Sequence, residues 1–159
     1  MRIIALISLM LISACGFRPL YEAGGSSAAM QAKLAAVEVG PIPDRLGQIM
    51  RNRLIDRLNA SGAVDYTLAV VLRQSSEGFG VRPDAAITQE QLTLVAAIKL
   101  TSNEDGTVLF EQELRARTSF DIVQSDFSTV TQREDSARRL VLELAERIHR
   151  RLALQFAKN

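Results

Sequence analysis

The sequence has very few of the side chains that enzymes and metal sites use. Its 159 residues include one cysteine, Cys15, one histidine, His149, and no tryptophan. A lone cysteine cannot form an internal disulfide, and the common zinc sites need several cysteine or histidine ligands. The chain also has no nucleophile-elbow motif and no phosphate-binding glycine loop. We therefore expect no enzyme activity, no cofactor and no resident metal.

An excess of charge of either sign is also missing. Nineteen lysines and arginines face 18 aspartates and glutamates, which gives a formal net charge of +1. Nucleic-acid-binding domains are usually strongly basic, so this balance argues against a nucleic-acid partner. The length fits one ordinary domain with a core of its own.

The one long apolar run lies at the N-terminus. After Arg2, residues 3–12 are apolar except for Ser8. About 20 apolar residues are needed to cross a bilayer, so the run predicts a signal peptide rather than a transmembrane helix. The run ends in Ile-Ser-Ala-Cys at residues 12–15, which is the pattern of a bacterial lipobox.

A lipobox predicts that residues 1–14 are removed and that Cys15 becomes a lipidated N-terminus. Lipidation would also account for an unpaired cysteine in an exported chain. The alternative is a plain secretory peptide followed by a free thiol. Two or more acyl chains hold a protein durably on a membrane. Gly16, rather than aspartate, follows the cysteine, so the inner-membrane retention signal of enteric-type bacteria is absent and we expect the outer membrane.

Residues 15–33 are rich in glycine, serine and alanine and show no periodicity. We interpret them as the lipidated N-terminus and a flexible tether, followed by a single domain over residues 34–159.

The first half of this domain predicts alternating strand and helix. Residues 34–39 suggest a short strand, and apolar residues at helical spacing predict a helix from an N-cap at Asp44 to about Asn59. The arginines at positions 51, 53 and 57 are interpreted as a solvated face of this helix. Alternation in residues 65–74 predicts a second strand, and residues 75–86 are interpreted as a loop.

Two long alternating runs, residues 87–101 and 107–121, predict a hairpin. A three-residue loop at 104–106, with Gly106 in the left-handed conformation, sets its register. On the inner face we expect Leu100 opposite Phe110, Ile98 opposite Gln112, Ala96 opposite Leu114 and Leu94 opposite Ala116. On the outer face we expect Lys99 opposite Glu111, Val95 opposite Arg115 and Thr93 opposite Arg117. Because these strands exceed the usual length, we expect the hairpin to project beyond the rest of the sheet.

A long amphipathic helix is predicted at the C-terminus. Thr131 and Glu134 form a plausible capping box, and His149 is interpreted as a surface side chain. The apolar stripe consists of Ala137, Leu140, Val141, Leu144, Ile148 and Leu152. The order strand, helix, three strands, helix predicts an α+β fold in which both helices pack on one face of a mixed four-stranded sheet. The spatial order of the strands is left open.

The motif "SACGFRPLY" at residues 13–21 and the final helix "REDSARRLVLELAERIHRRLA" carry a family resemblance. The chain resembles the LptE family of lipopolysaccharide-assembly lipoproteins, in particular the compact alphaproteobacterial type. The resemblance implies an outer-membrane, periplasm-facing lipoprotein that sits partly inside an LptD-type barrel, supports assembly of that barrel and helps to insert lipopolysaccharide. The alternative is a scaffold lipoprotein that binds other proteins and no glycolipid.

A lipopolysaccharide site should combine basic donors for phosphate with exposed apolar groups. The candidates are Lys99, Arg115 and Arg117 on the outer face of the hairpin, with Arg82 in the adjacent loop. Lys99 faces Glu111, which leaves Arg115 and Arg117 as the freer donors. The alternative is that these outward charges only protect a sheet edge from aggregation.

Overall fold

Three helices and a four-stranded sheet make up the part of the chain that the computed structural model describes, residues 26–60, 63–81, 87–122 and 126–158. In chain order the elements are α1 (Ser26–Ala35), β1 (Val37–Val39), α2 (Asp44–Leu58), β2 (Tyr66–Val81), β3 (Ile87–Ser102), β4 (Val108–Asp121) and α3 (Asp126–Lys158). The predicted α+β class, with a mixed sheet and helices packed on it, is confirmed.

The strands lie in the order β1-β2-β3-β4, which the sequence left open. β1 is parallel to β2, to which it is connected through α2, and the other two pairings are antiparallel. β1 pairs only with Tyr66–Leu68, whereas β2 pairs with β3 from Tyr66 to Val81, with an interruption at Gly80. The sheet therefore consists of three long strands with a short parallel strand at one corner.

The predicted hairpin register is confirmed. Leu100 lies opposite Phe110, and the pairing continues as expected to Thr93 opposite Arg117. Gly106 has a φ of 72°, the left-handed conformation that the turn requires. The register shifts by one residue between Leu100 and Thr101, so an irregularity next to the turn takes up the extra residue. The predicted three-residue loop is wrong, because the Ser102 N–H donates to the carbonyl oxygen of Thr107 and the loop therefore has four residues, 103–106. The strand register was predicted correctly, and the length of the turn was not.

The predicted loop at residues 75–86 is wrong in its first half. β2 continues to Val81, and its last pair joins Val81 to Ile87 of β3. Serines and glycines have low strand propensity, but continuous pairing with a neighbouring strand overrides it. Because β2 and β3 are both 16 residues long, the β3–β4 hairpin does not project beyond the rest of the sheet. Arg82 lies outside the described residues.

The predicted tether is also corrected, because Ser26–Ala35 is a helix. Its alanine content favours a helix, and two of its side chains pack on the core: Leu34 is buried and Met30 is partly buried. Since Leu34 belongs to this helix, the first strand begins at Val37 rather than at residue 34. The folded part thus starts earlier than the predicted domain boundary.

Both predicted helix starts need correction. Asp44 is the first helical residue of α2 rather than its N-cap, and this end has no side-chain cap hydrogen bond. α3 begins at Asp126, so Thr131 and Glu134 lie inside the helix and do not form a capping box at its start. The 33 residues of α3 extend about 50 Å, close to the length of a 16-residue strand. α3 therefore matches the whole length of the sheet, whereas the 15 residues of α2 match less than half of it.

The core lies between the helices and one face of the sheet. The predicted stripe of α3 is confirmed, since all six of its residues are buried. Met50, Leu54 and Leu58 of α2 are buried as well. From the sheet the core receives mainly even-numbered side chains, such as Leu68, Leu92, Leu94, Ala96, Ile98 and Leu100. No helix among the described residues is long and apolar enough to cross a membrane.

Candidate functional site

The outer face of the sheet carries the odd-numbered side chains of β2, β3 and β4. None of the described helices packs on this face, because the helices contact the core-facing side. Side chains of β2 and β4 are largely exposed here, and those of the central strand β3 are mostly half-buried between them. On this face the structure brings predicted site residues together.

Three of the four predicted site residues lie on this outer face. Arg115 and Arg117 have exposed side chains on β4, two residues or about 6 to 7 Å apart along the strand. Lys99 is exposed on β3 and lies opposite Glu111. The fourth, Arg82, is not among the described residues.

The structure adds an arginine that the sequence analysis missed. Arg73 of β2 lies opposite Val95, and Val95 lies opposite Arg115 on its other side. Arg73 and Arg115 therefore flank one valine, about two strand spacings or 10 Å apart. We call Arg73, Arg115 and Arg117 the arginine cluster. The alternation in residues 65–74 already predicted that Arg73 lies on the outer face. The sequence did not show that β2 pairs with β3, and this pairing is what brings Arg73 near Arg115.

The three arginines differ in whether an acidic side chain forms an ion pair with them. Arg73 forms an ion pair with Glu113, and both side chains are more than half exposed. Such surface pairs contribute at most about 1 kcal/mol. Within the described ranges, no carboxylate is paired with Arg115 or Arg117. These two guanidinium groups are therefore the ones most available to an anionic ligand.

Hydroxyl and apolar groups surround the arginine cluster. Ser75 and Thr93 lie in the same cross-strand row as Arg117. Val95 lies between the other two arginines, and Val71, which is 57% exposed, lies one row away on β2. The face thus combines arginine and hydroxyl donors with exposed apolar side chains, the combination expected for an anionic amphiphile.

Helix α3 fixes the backbone that carries the cluster. Arg147 Nη1 donates a hydrogen bond of 2.8 Å to the carbonyl oxygen of Arg115, and Gln155 Nε2 contacts that of Leu109 at 3.5 Å. These contacts occupy carbonyls on the free edge of β4. The edge strand is therefore held against the helix while its outer side chains stay exposed.

A second polar cluster lies on the inner face. The Glu90 carboxylate is buried, and Arg133 of α3 binds it through two hydrogen bonds of 2.8 and 2.5 Å. The hydrogen bond from Arg133 lowers the pKa of Glu90, although burial alone would raise it. This pair attaches the first half of α3 to the central strand, and we regard it as structural.

Arg133 also borders a cleft of about 390 Å³ between β2, α2 and α3. Leu46, Ile49 and Ala137 contribute its apolar part. Two of its three arginines are paired, because Arg45 lies 3.6 Å from Glu134 and Arg133 binds Glu90. Among the described residues, Arg138 is the cleft arginine for which no ion pair is formed. The cleft offers less free positive charge than the outer face.

Two predictions about helix side chains are wrong. Arg51 and Arg53 of α2 are half-buried rather than part of a solvated face: Arg51 donates to the carbonyl oxygen of Val39 at 3.2 Å and Arg53 to Glu146 of α3 at 2.8 Å. Arg57 is exposed as predicted, and it also donates to Glu146 at 2.8 Å. His149 is partly buried rather than a surface residue. Burial lowers the pKa of His149, Arg57 and Arg150 lower it further, and Glu146 opposes them. These groups join α2 to α3.

The described residues contain no group of three or more histidine, cysteine, aspartate or glutamate side chains that could hold a metal ion. Cys15 lies outside the described residues, so its predicted lipidation stays a prediction.

Comparison with known proteins identifies relatives of the whole domain. A family model described as LptE, lipopolysaccharide-assembly, matches residues 34–152. An uncharacterised protein of Rickettsia prowazekii is 25% identical over 154 residues, covering 97% of this chain and 96% of the relative.

Solved structures share the fold. A chain from Caulobacter crescentus superimposes with a TM-score of 0.67 at 18% identity, covering 85% of this chain and 100% of the other. Rare lipoprotein B from Shewanella oneidensis gives a TM-score of 0.59 at 13% identity, covering 74% and 92% of the two chains.

Proposed function

The chain belongs to the LptE family of lipopolysaccharide-assembly proteins, and we propose that it is an outer-membrane lipoprotein that partners an LptD-type barrel and binds lipopolysaccharide on the outer face of its sheet. The family is non-enzymatic, which is consistent with the expectation that the chain is not an enzyme. The observation that carries the proposed binding is the arginine cluster, which the fold sets on an uncovered face of the sheet.

Lipid chemistry supports the proposed location. A diacylglyceryl thioether at Cys15, with an acylated amine, would hold the chain durably on a membrane. Gly16 in place of aspartate favours the outer membrane. α1 begins at Ser26, so a short segment separates the anchored cysteine from the folded domain, which would lie close to the bilayer surface on the periplasmic side.

The chemistry of the outer face supports lipopolysaccharide as the ligand. Arginine recognises phosphate through several N–H groups, and charge-assisted hydrogen bonds of this kind contribute about 1.5 to 3 kcal/mol when they are shielded from water. Arg115 and Arg117 are close enough to share one phosphorylated sugar headgroup. The half-buried Val95 next to Arg115 and the exposed Val71 on β2 supply apolar surface for the glycolipid.

The surface composition supports a place inside a barrel. A barrel of the outer-membrane type has a polar interior, so a protein that enters it needs a polar exterior of low net charge. The formal net charge falls from +1 to zero when Arg2 is removed with the signal peptide. Charged residues of both signs lie along the outer face of β4, where Glu111 and Glu113 are followed by Arg115 and Arg117.

Affinity purification of the tagged chain from detergent-solubilised outer membranes tests the proposal. We expect a stable complex with one large barrel protein, and lipopolysaccharide in the same fraction. Depletion of the chain should lower the amount of correctly assembled barrel and make the outer membrane permeable to large antibiotics. Purification without a barrel, together with normal barrel levels after depletion, would favour the scaffold lipoprotein instead.

A further inference from the structure

One side of β2 is open along the middle of the strand and bounded at both ends. At one end, β1 pairs with residues 66–68. At the other end, Gly80 has a φ of 74°, and its carbonyl oxygen accepts a hydrogen bond of 2.9 Å from the Thr88 hydroxyl. Between these two points, no strand in the described part of the chain pairs with this side of β2. We call residues 70–78 the open edge.

The hydrogen bond at the start of this stretch sets the direction of its backbone groups. The Gly40 N–H donates to the carbonyl oxygen of Leu68 at 3.0 Å, so Leu68 directs its N–H and C=O groups to the side of β1. Because these groups alternate along a strand, the even-numbered residues that follow present theirs to the open edge, and the odd-numbered residues bind β3. The backbone groups at the open edge belong to Val70, Leu72, Gln74, Ser76 and Gly78.

The open edge lacks the features that usually protect an exposed strand. It has the sequence "VVLRQSSEG", which contains no proline and no lysine. Its even-numbered side chains, which face inwards, carry no charge. On the opposite edge of the sheet, by contrast, Arg147 and Gln155 of α3 contact backbone carbonyls of β4. An unprotected strand of this length is a template for pairing with another chain.

The side chains beside the open edge indicate which charges a fitting strand would carry. On the outer face Glu77 is exposed, and the ion pairs of the residues that the structure describes do not include it. On the inner face Gln74 borders the cleft, which also contains the apolar Leu46 and Ile49 and the unpaired Arg138. A fitting strand would therefore carry a basic side chain opposite Glu77, and apolar and acidic side chains towards the cleft.

We propose that an extended segment of the partner barrel protein pairs with the open edge and adds a fifth strand to the sheet. The inference rests on the proposed function, because inside a barrel the chain nearest to this edge is that of the barrel protein. Main-chain hydrogen bonds give such a pairing its affinity, and side chains on alternate residues give it specificity. The added strand continues the row of β1 in the plane of the sheet. It therefore leaves the arginine cluster uncovered, and Arg73 keeps its ion pair with Glu113.

A proline substitution on an even-numbered residue tests the backbone pairing. Gln74→Pro removes an N–H group that points to the open edge and sets a proline ring in its place. The hydrogen bonds between β2 and β3 are made by odd-numbered residues and remain, and proline is tolerated where the N–H of an edge strand faces outwards. Gln74→Ala is the matched control, because it removes the same side chain and keeps the N–H group.

Affinity purification of the full chain from detergent-solubilised outer membranes measures the effect. We expect Gln74→Pro to recover at least about tenfold less barrel protein than the parent chain, because one donor is lost and a carbonyl of the partner is left unsatisfied. Gln74→Ala should recover as much as the parent. Thermal unfolding of each purified variant shows whether the domain is folded. Gly78→Pro, with Gly78→Ala as its control, repeats the comparison at a second even-numbered position.

Photo-cross-linking identifies the segment that covers the open edge. Benzoylphenylalanine replaces Gln74 in one variant and Gly78 in another, and each is irradiated in native membranes. We expect both variants to cross-link to the barrel protein and the adducts to lie in one segment of it. Because the two positions are four residues or about 13 Å apart along β2, the adducts should also lie about four residues apart.

Three results would overturn the proposal and leave the barrel partnership intact. The first is a folded Gln74→Pro or Gly78→Pro chain that recovers as much barrel protein as the parent. The second is an equal loss with Gln74→Ala, which would assign the contact to the side chain instead of the backbone. The third is cross-linking only to a second copy of the chain or to another protein. A parent chain that recovers no barrel protein would overturn this proposal together with the proposed function.

Discussion

Arg73 and Arg115 lie on opposite sides of Val95, each directly across from it in the sheet. Residues 42 positions apart in the sequence thus share one cross-strand row because β3 pairs with both neighbouring strands. Arg117 is one row further along β4. The proposed ligand site therefore depends on the register of both strand pairs, and this register makes the site testable residue by residue.

The first prediction concerns the ion pair between Arg73 and Glu113. Removing the carboxylate with Glu113→Ala frees Arg73 and leaves three unpaired arginines on the face. We expect lipopolysaccharide affinity of the purified mature chain to rise by about two- to fivefold, because a surface ion pair of this kind contributes up to about 1 kcal/mol. Titration of the chain with lipopolysaccharide in detergent measures this affinity. Glu104→Ala, in the hairpin turn, is the control and should leave affinity unchanged.

The second prediction concerns the buried carboxylate of Glu90. Glu90→Gln should lower the free energy of unfolding at pH 7 by about 1 to 3 kcal/mol, because Arg133 loses a charge-assisted, two-point partner. Glu134→Gln is the control, because it affects only an exposed pair with Arg45. It should change the free energy of unfolding by less than about 0.5 kcal/mol. Chemical denaturation measures both.

The pH dependence of the same variant gives an independent check. The pKa of Glu90 is lower in the folded chain than its ordinary value, so the stabilisation is fully present above the unfolded pKa of about 4.3. It is lost as the pH falls through the lowered folded-state pKa. The stability difference between the parent and Glu90→Gln should therefore shrink below about pH 4. A difference that is constant from pH 7 to pH 3 would show that the carboxylate charge has no part in it.

The third prediction concerns Gly47, where α2 passes close to the segment before it. A Cβ at this position would lie 2.7 Å from both the Cγ2 atom and the carbonyl oxygen of Ile42. Gly47→Ala should therefore destabilise the chain by about 1 to 3 kcal/mol, although alanine is the better helix former. Asn52→Ala, at an exposed position of the same helix, should have no such cost. A stabilised Gly47→Ala variant would contradict the close packing.

The fourth prediction concerns the N-terminus. Mass spectrometry of the chain isolated from membranes should show loss of residues 1–14 and acylation of Cys15. Cys15→Ser should leave the signal peptide uncut and remove the lipid. An intact Met1 or an unmodified thiol on the parent chain would rule out the lipoprotein assignment.

The hairpin could be predicted in detail because it is a local structure. Alternation sets which residues face the core, and Gly106 sets the turn, so Lys99, Arg115 and Arg117 were correctly assigned to one face. Arg73 could not be added, because the pairing of β2 with β3 runs through a stretch of serines and glycines that resembles a loop. Cross-strand hydrogen bonds, not propensity, keep that stretch extended.

Helix ends were harder to predict than helix faces. The stripe from Ala137 to Leu152 follows from periodicity alone, because it needs only the helical repeat. The start of α3 at Asp126 and the helix Ser26–Ala35 depend on packing against distant elements. Glu90 is likewise a charged residue whose burial depends on Arg133, 43 positions away. Contacts of this kind cannot be identified from local sequence.

Lipopolysaccharide affinity of the Arg115→Ala, Arg117→Ala double variant tests the central claim most directly. The measurement compares it with the parent chain and with Arg150→Ala, Arg151→Ala, which removes the same charge from exposed positions of α3. We predict that the first variant binds about tenfold or more weakly, that the second binds like the parent, and that thermal unfolding of both is nearly unchanged. Undiminished binding by Arg115→Ala, Arg117→Ala would contradict the account and assign these arginines to edge protection or to contact with the barrel.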